Sequence, residues 1–344
     1  MILLRLVLFP FSVLFDLVTS VRNRMYDQGL KPSVRFDTPV VGVGNLTVGG
    51  TGKTPLTEYL IRLLQELNVA TLSRGYGRKT KGFRIANPTD NAATLGDEPY
   101  QFYKKFGDHV VVAVGEDRAL AIPNILDVHP ATGVIVLDDS FQHRRVRPSL
   151  NILLSDFARP FYQDFLLPAG RLRESRKGAA RADAVVVTKC PSSLSDDDMM
   201  EIEKSIRAYV TKPVFFSRIH YGNPVAYQNH VLPLGEEVAL ISGLSNPRPL
   251  EEYLGQSLTL VKHFKFGDHH DYSVSDIQKF VRFRREHPKA SLITTEKDVV
   301  KLAEPEFQLL LEGVPLFYLP IELEFIKSGR DFDALVLNSI RREG

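Results

Sequence analysis

Residues 2–18 form an apolar run in which Arg5 and Asp16 are the only charges. The uninterrupted stretch between them, residues 6–15, falls short of the ~20 residues a membrane-spanning helix needs. On a helical period Arg5, Ser12, Asp16, Thr19 or Ser20 and Asn23 share one narrow stripe. The pattern predicts a helix with a broad apolar face and a thin wet one, lying in a membrane interface and kinked at Pro10. Arg22, Arg24, Lys31 and Arg35 follow, where they would meet anionic headgroups. A secretory signal is a poorer match, because no small-x-small cleavage site follows. A buried core helix is the plainer competitor.

After Pro39 the periodicity changes. Residues 40–43 are a short β-branched run, and 54–67 place Leu56, Tyr59, Leu60, Leu63, Leu64 and Leu67 at helical spacing. Continuous apolar runs recur at 69–72, 110–114, 134–137, 152–154 and 184–187, as buried parallel strands do. A polar stretch at 191–198 and a helical one at 199–209 precede a second set of runs at 238–241, 258–261, 292–295 and 316–319. The expected architecture is an α/β fold, a mainly parallel sheet with helices on both faces plus a smaller α/β C-terminal domain. The expected segments are an interface helix at 1–28, a core domain at 29–210 and the smaller domain at 211–344.

Composition narrows this only a little. The chain has 344 residues, 44% hydrophobic and 24% charged, as ordinary globular proteins do. A net charge of +2 argues against a general nucleic-acid binder, so any anion site must be local. Cys190 is the only cysteine and has no partner for an internal disulfide.

Chemistry enters at Thr47-Val48-Gly49-Gly50-Thr51-Gly52-Lys53-Thr54, between a strand and an amphipathic helix. Glycines let backbone N–H groups turn inward around phosphate oxygens, and the helix N-terminus adds positive potential. Lys53 would reach the β- and γ-phosphates and the Thr54 hydroxyl would bind Mg²⁺, which makes the sheet one of P-loop NTPase type. Thr47 occupies the position where the usual pattern begins with glycine. A second apolar strand ends in Asp138-Asp139, where a carboxylate would help hold the metal beside the phosphate loop. Mg²⁺ keeps several waters, so one or two carboxylates suffice.

Taken in order, the motifs resemble the lipid A (tetraacyldisaccharide) 4'-kinase family. The resemblance rests on the run from Val43 through the phosphate loop to Pro55, then Leu72-Ser-Arg-Gly-Tyr-Gly77, Gly96-Asp97-Glu98-Pro99 and Asp138-Asp139-Ser140-Phe141-Gln142-His143. Pro168-Ala-Gly-Arg-Leu-Arg-Glu174, Asp268-His269 and Thr295-Glu-Lys-Asp298 complete it. Ser140 stands where the family leads one to expect glycine.

The resemblance implies transfer of the ATP γ-phosphate to the 4'-hydroxyl of a tetraacylated glucosamine disaccharide 1-phosphate. It implies a peripheral or monotopic location at the cytoplasmic face of the bacterial inner membrane. By the same resemblance Asp97 is the general base, oriented by His269, with Lys53 on the phosphates. Thr54, Asp138, Asp139 and Glu98 would hold Mg²⁺. Arg74, Tyr76, Arg118, Gln142, His143 and Arg171 would meet the substrate. Arg144, Arg145, Arg147, Arg173, Arg176, Lys177 and Arg181 thicken two basic clusters, as anion contacts or as solvated surface charge. The expected partners are the lipid substrate and a membrane surface, with no nucleic acid and a monomeric chain. The role of Thr295–Asp298 stays open between the nucleotide side and a hinge.

Three other readings compete, one of them a soluble small-molecule kinase whose N-terminal helix is simply core. A membrane-associated GTPase switch would carry Asn-Lys-x-Asp after a later strand, whereas Thr188-Lys189-Cys190-Pro191 has the lysine but no aspartate. A P-loop ATPase coupled to a partner would hydrolyse ATP without a phosphorylated product.

Overall fold

The computed structural model describes residues 2–227 and 233–341. Its strands in chain order are β1 (Val40–Asn45), β2 (Val69–Ser73), β3 (Arg84–Ile85), β4 (Val111–Val114), β5 (Val134–Leu137), β6 (Leu150–Asp156) and β7 (Ala184–Thr188). Then come β8 (Val214–Tyr221), β9 (Val225–Ala226), β10 (Glu237–Ser242), β11 (Thr259–Lys265), β12 (Ser291–Thr295), β13 (Leu316–Leu319) and β14 (Ile321–Phe325). They form a nine-stranded sheet in the order β14-β8-β7-β6-β1-β5-β2-β4-β3 and a five-stranded sheet in the order β11-β10-β12-β13-β9.

In the large sheet β3 and β14 run antiparallel at the two edges, and the strands between them are parallel. Val41, Val43, Leu56, Leu60 and Ile61 meet Val134, Val136, Ile152 and Leu154 in a core with essentially no exposure. Burial on both faces explains why these strands read as continuous apolar runs rather than as alternations. The expected helix at 54–67 begins at Lys53 and ends at Leu64, with one 3₁₀ turn carrying it to Leu67.

The boundary expected near residue 210 falls a strand early. β8 lies beyond it yet hydrogen-bonds to β7. The chain later returns as β14, paired with β8, and Phe332 and Val336 of the last helix, Gly329–Arg341, pack into the large-sheet core. Strand pairing over this separation has no local signature, so no composition shift marks it. The smaller sheet is therefore inserted between β8 and β14, and Gly222 N donates to Pro320 O (2.8 Å) where the two crossings meet.

The N-terminal helix, Ile2–Asp27, continues through Pro10. Its orientation reverses the expectation that the polar stripe faces water. Ser12 is buried, donating to Leu166 O (2.9 Å), and Asn23 donates to Glu174 Oε2 (2.7 Å). The outward residues are Val7, Phe9, Phe11, Val13, Leu14, Leu17, Val18 and Val21, each more than half exposed. Arg22, expected at headgroups, turns inward and donates to Gln142 O (2.8 Å). Ser12 and Asn23 find fixed partners on the protein body, whereas Thr19 and Ser20 bond within the helix. No described helix is long and apolar enough to cross a membrane.

Candidate active site

The phosphate loop leaves β1 at the middle of the large sheet, between β5 and β6. Gly49 (φ 102°) and Gly52 (φ 80°) occupy the left-handed region, where a side chain would be strained. Thr47 needs no such freedom. It pairs antiparallel with Leu172, and Val48 N donates to Arg171 O (2.8 Å), which explains a threonine at the usual glycine position. Asn45 Nδ2 donates to Thr51 Oγ1 (2.7 Å) and Thr188 Oγ1 to Thr51 O (2.8 Å), so the loop is braced from β1 and β7. Lys189 reaches Gly50 O and Asp156.

Asp138 and Asp139 follow β5, which pairs directly with β1. Gly44 admits this turn, because a Cβ there would stand 2.6 Å from that of Phe141. The left-handed residue is Asp139 (φ 46°), whereas Ser140 bonds Val43 O through both its N–H and its hydroxyl. Serine therefore fits where glycine was expected.

Asp139 lies 3.7 Å from Lys53 Nζ and accepts two bonds from Arg173 (2.7 and 3.0 Å). Burial would raise its pKa, but Arg173 and Lys53 outweigh it and hold the carboxyl well below the usual range. Asp138 goes the other way, pushed up to about 7 mainly by burial, and its Oδ1 has no hydrogen-bond partner. A buried carboxylate oxygen with no partner, within electrostatic reach of the P-loop Lys53, suits a hard cation. Among the described residues no three His, Cys, Asp or Glu side chains converge as a metal cage.

A second constellation joins the two sheets. Asp97 starts the helix Asp97–Phe106 of the large-sheet unit. Its Oδ2 is 2.8 Å from His269 Nδ1 and 2.8 Å from Lys301 Nζ, both carried by the smaller-sheet unit. Burial alone would raise the Asp97 pKa; the His269 and Lys301 contacts reverse this and lower it. The same hydrogen bond raises that of His269. Tyr76, 70% exposed, lies with its ring 5.6 Å from His269. Glu98 is half-buried and acts electrostatically on both Asp138 and His269.

The other predicted residues are placed unevenly. Gln142 Nε2 donates to Asn45 O (2.8 Å) and Glu174 Oε1 (3.0 Å), behind the phosphate loop. Arg118 is buried, its guanidinium on Asp138 O (3.3 Å) and its pKa lowered by burial to about 10. His143 accepts from Arg118 N (3.2 Å), and burial followed by the Arg118 charge lowers it to about 4. It is therefore neutral near pH 7 and offers a hydrogen bond rather than a charge. Arg74 and Arg171 are exposed. Of the basic clusters, Arg144 pairs with Asp27, Arg145 with Asp117 and Arg181 with Glu174.

Thr295–Asp298 proves to be an inter-sheet clamp. Asp298 Oδ2 accepts from Gly243 N (2.9 Å), and Glu296 takes Ile321 N (3.0 Å) and Lys105 Nζ (2.8 Å). Lys105 also reaches Glu58 (2.7 Å) on the phosphate-loop helix. Sequence reasoning left Arg173 as one member of a basic cluster and missed Lys301. The only signal for Lys301 was its i,i+4 spacing from Lys297 on one helical face.

These features define a P-loop α/β protein in which a carboxylate beside the phosphate site is held from a second sheet. The family model for tetraacyldisaccharide-1-P 4'-kinase matches residues 4–341, and the chain belongs to that family. The tetraacyldisaccharide 4'-kinase of Flavobacterium johnsoniae is 42% identical over 98% of both chains. That of Parabacteroides distasonis is 43% identical over 96% of this chain and 93% of its own. The crystal structure of LpxK from Aquifex aeolicus in complex with ATP is 31% identical and superposes with a TM-score of 0.75, covering 98% of this chain and 99% of that one.

Proposed function

We propose that this chain transfers the γ-phosphoryl group of ATP to the 4'-hydroxyl of an acylated glucosamine disaccharide 1-phosphate. The observation that carries the reading is the Asp97–His269–Lys301 constellation. Both partners engage Oδ2, which leaves Oδ1 for an acceptor hydroxyl. Its lowered pKa keeps the carboxylate ionised near pH 7, so it can accept a proton.

Phosphoryl transfer asks chiefly for positioning and charge stabilisation. Lys53 and the phosphate-loop N–H groups hold the phosphates. Thr54 and Asp138 would hold Mg²⁺ with Asp139 and Glu98 near it, and the ion would neutralise charge on the phosphates. The acceptor oxygen forms the new bond to the γ-phosphorus as its proton passes to Asp97. The bond to the β–γ bridging oxygen breaks, and its electron pair leaves with ADP. Tyr76, exposed beside His269, would pack against a sugar ring. Arg74 and Arg171, both exposed, would meet substrate phosphate.

The smaller-sheet unit supplies His269 and Lys301, so its approach completes the acceptor site and limits hydrolysis by water. The exposed apolar side of the N-terminal helix supports docking on a membrane surface, as a substrate with acyl chains in a bilayer requires. We assign that surface to the cytoplasmic face of the inner membrane. The GTPase and partner-coupled ATPase readings gain nothing from these relatives.

The test is incubation with γ-labelled ATP, Mg²⁺ and the acylated disaccharide 1-phosphate in detergent, with Asp97→Ala alongside. Label in a bis-phosphorylated lipid, lost in the variant, is the expected result. Free phosphate with no labelled lipid would overturn the reading.

A further inference from the structure

The N-terminal helix has a second element beside it. The loop Phe165-Leu166-Leu167-Pro168 is fastened to that helix, since Ser12 Oγ donates to Leu166 O (2.9 Å) and accepts from Ala169 N (3.0 Å). Phe165 is 44% exposed. Guanidinium groups from two elements converge on its ring, Arg5 at 5.8 Å and Arg176 at 6.0 Å. Arg176 is itself held by Asp164 O (2.7 and 3.1 Å).

Cation–π contact explains a pair of this kind on any protein surface. Two features exceed that explanation. The loop that carries the ring is fixed at the buried Ser12 to a helix whose Phe9, Phe11 and Val13 stand exposed. Guanidiniums flanking a half-exposed ring also match the layering of a bilayer interface, where an aromatic sits at headgroup level and arginines meet phosphates.

We propose that residues 165–168 form a second membrane contact, entering the headgroup region of an anionic bilayer beside the N-terminal helix. This rests on the membrane reading of that helix and extends it. The same loop runs on into Arg171 and Leu172, which pair with Val48 and Thr47. The phosphate loop is thus braced by a segment that itself touches lipid. Two contacts rather than one restrict rotation about the helix axis, which keeps the acceptor cleft at a set height above the acyl region.

The chain contains no tryptophan, so Phe165→Trp and Phe11→Trp each create a single fluorescent reporter. Both are mixed with substrate-free vesicles of phosphatidylcholine carrying brominated acyl chains, with and without phosphatidylglycerol; unbrominated vesicles serve as reference. Both reporters should blue-shift and be quenched. Phe165→Ser should weaken vesicle binding about fivefold, for a ring already partly buried. Arg176→Gln should reduce the gain from phosphatidylglycerol about fivefold. Quenching of Phe11→Trp with an aqueous, unquenched Phe165→Trp would overturn the second contact and leave the helix reading intact. If neither is quenched, the helix reading falls as well.

Discussion

Lys105 makes the sharpest quantitative case. Its ammonium bridges Glu58 Oε2 (2.7 Å) and Glu296 Oε1 (2.8 Å), while Gln101 donates to the other oxygen of Glu58 (2.9 Å) and Ile321 N to that of Glu296. Each ion pair is about 6 kcal/mol at an effective dielectric of ~20, before dehydration is subtracted. Breaking a buried pair by removing one partner costs ~3–5 kcal/mol. The Lys105 side chain is 26% exposed, so for Lys105→Met we expect about 2–3 kcal/mol.

The sign with pH also follows. Burial, opposed chiefly by Lys105, raises the Glu58 pKa above its ordinary value. An acid whose folded pKa is raised loses stability as pH climbs from the ordinary value through the raised one. Without Lys105 that rise is larger, so the deficit should be greater at about pH 8 than at about pH 5. Urea unfolding at the two pH values measures it. Neutralising all three (Glu58→Gln, Lys105→Met, Glu296→Gln) should recover at least half the loss, because no unpaired buried charge remains. A Lys105→Met variant within ~0.5 kcal/mol of wild type at both pH values would refute the bridging account.

Asp97→Asn should lower turnover by ~10²–10⁴-fold while equilibrium dialysis still shows ATP binding. Normal turnover would remove Asp97 from the chemistry. Arg173→Lys should weaken ATP about tenfold by titration calorimetry, because an ammonium cannot reproduce the two-pronged bond to Asp139 while also reaching Asn45. For His269 the folded pKa is raised, so its pairing with Asp97 contributes fully below the ordinary imidazole value and fades as pH rises through the raised one. The difference in melting temperature between wild type and His269→Gln should therefore shrink with rising pH. A constant gap would mean the contact is not ionic.

Much of this molecule is local and hence readable along the chain. The phosphate loop announces itself because its glycines are needed where φ is positive. Strands buried on both faces spell out apolar runs, and the acidic pair at the end of β5 stands out without any knowledge of the neighbours. Asp97 and His269 could be named as a pair only through ordered motifs resembling a family, since 172 positions separate them.

Tertiary structure decided the rest. Lys301 and Arg173 act through carboxylates distant in sequence, and nothing local distinguishes them from surface cations. The unassigned Thr295–Asp298 segment became a clamp only once Lys105, Gly243 and Ile321 were brought to it. The boundary shifted because β8 and β14 pair across the whole inserted sheet. The N-terminal helix is the clearest case. Periodicity gave it two faces, but which face turned outward depended on where hydrogen-bond partners waited. Leu166 and Glu174 drew Ser12 and Asn23 inward and left the apolar side exposed.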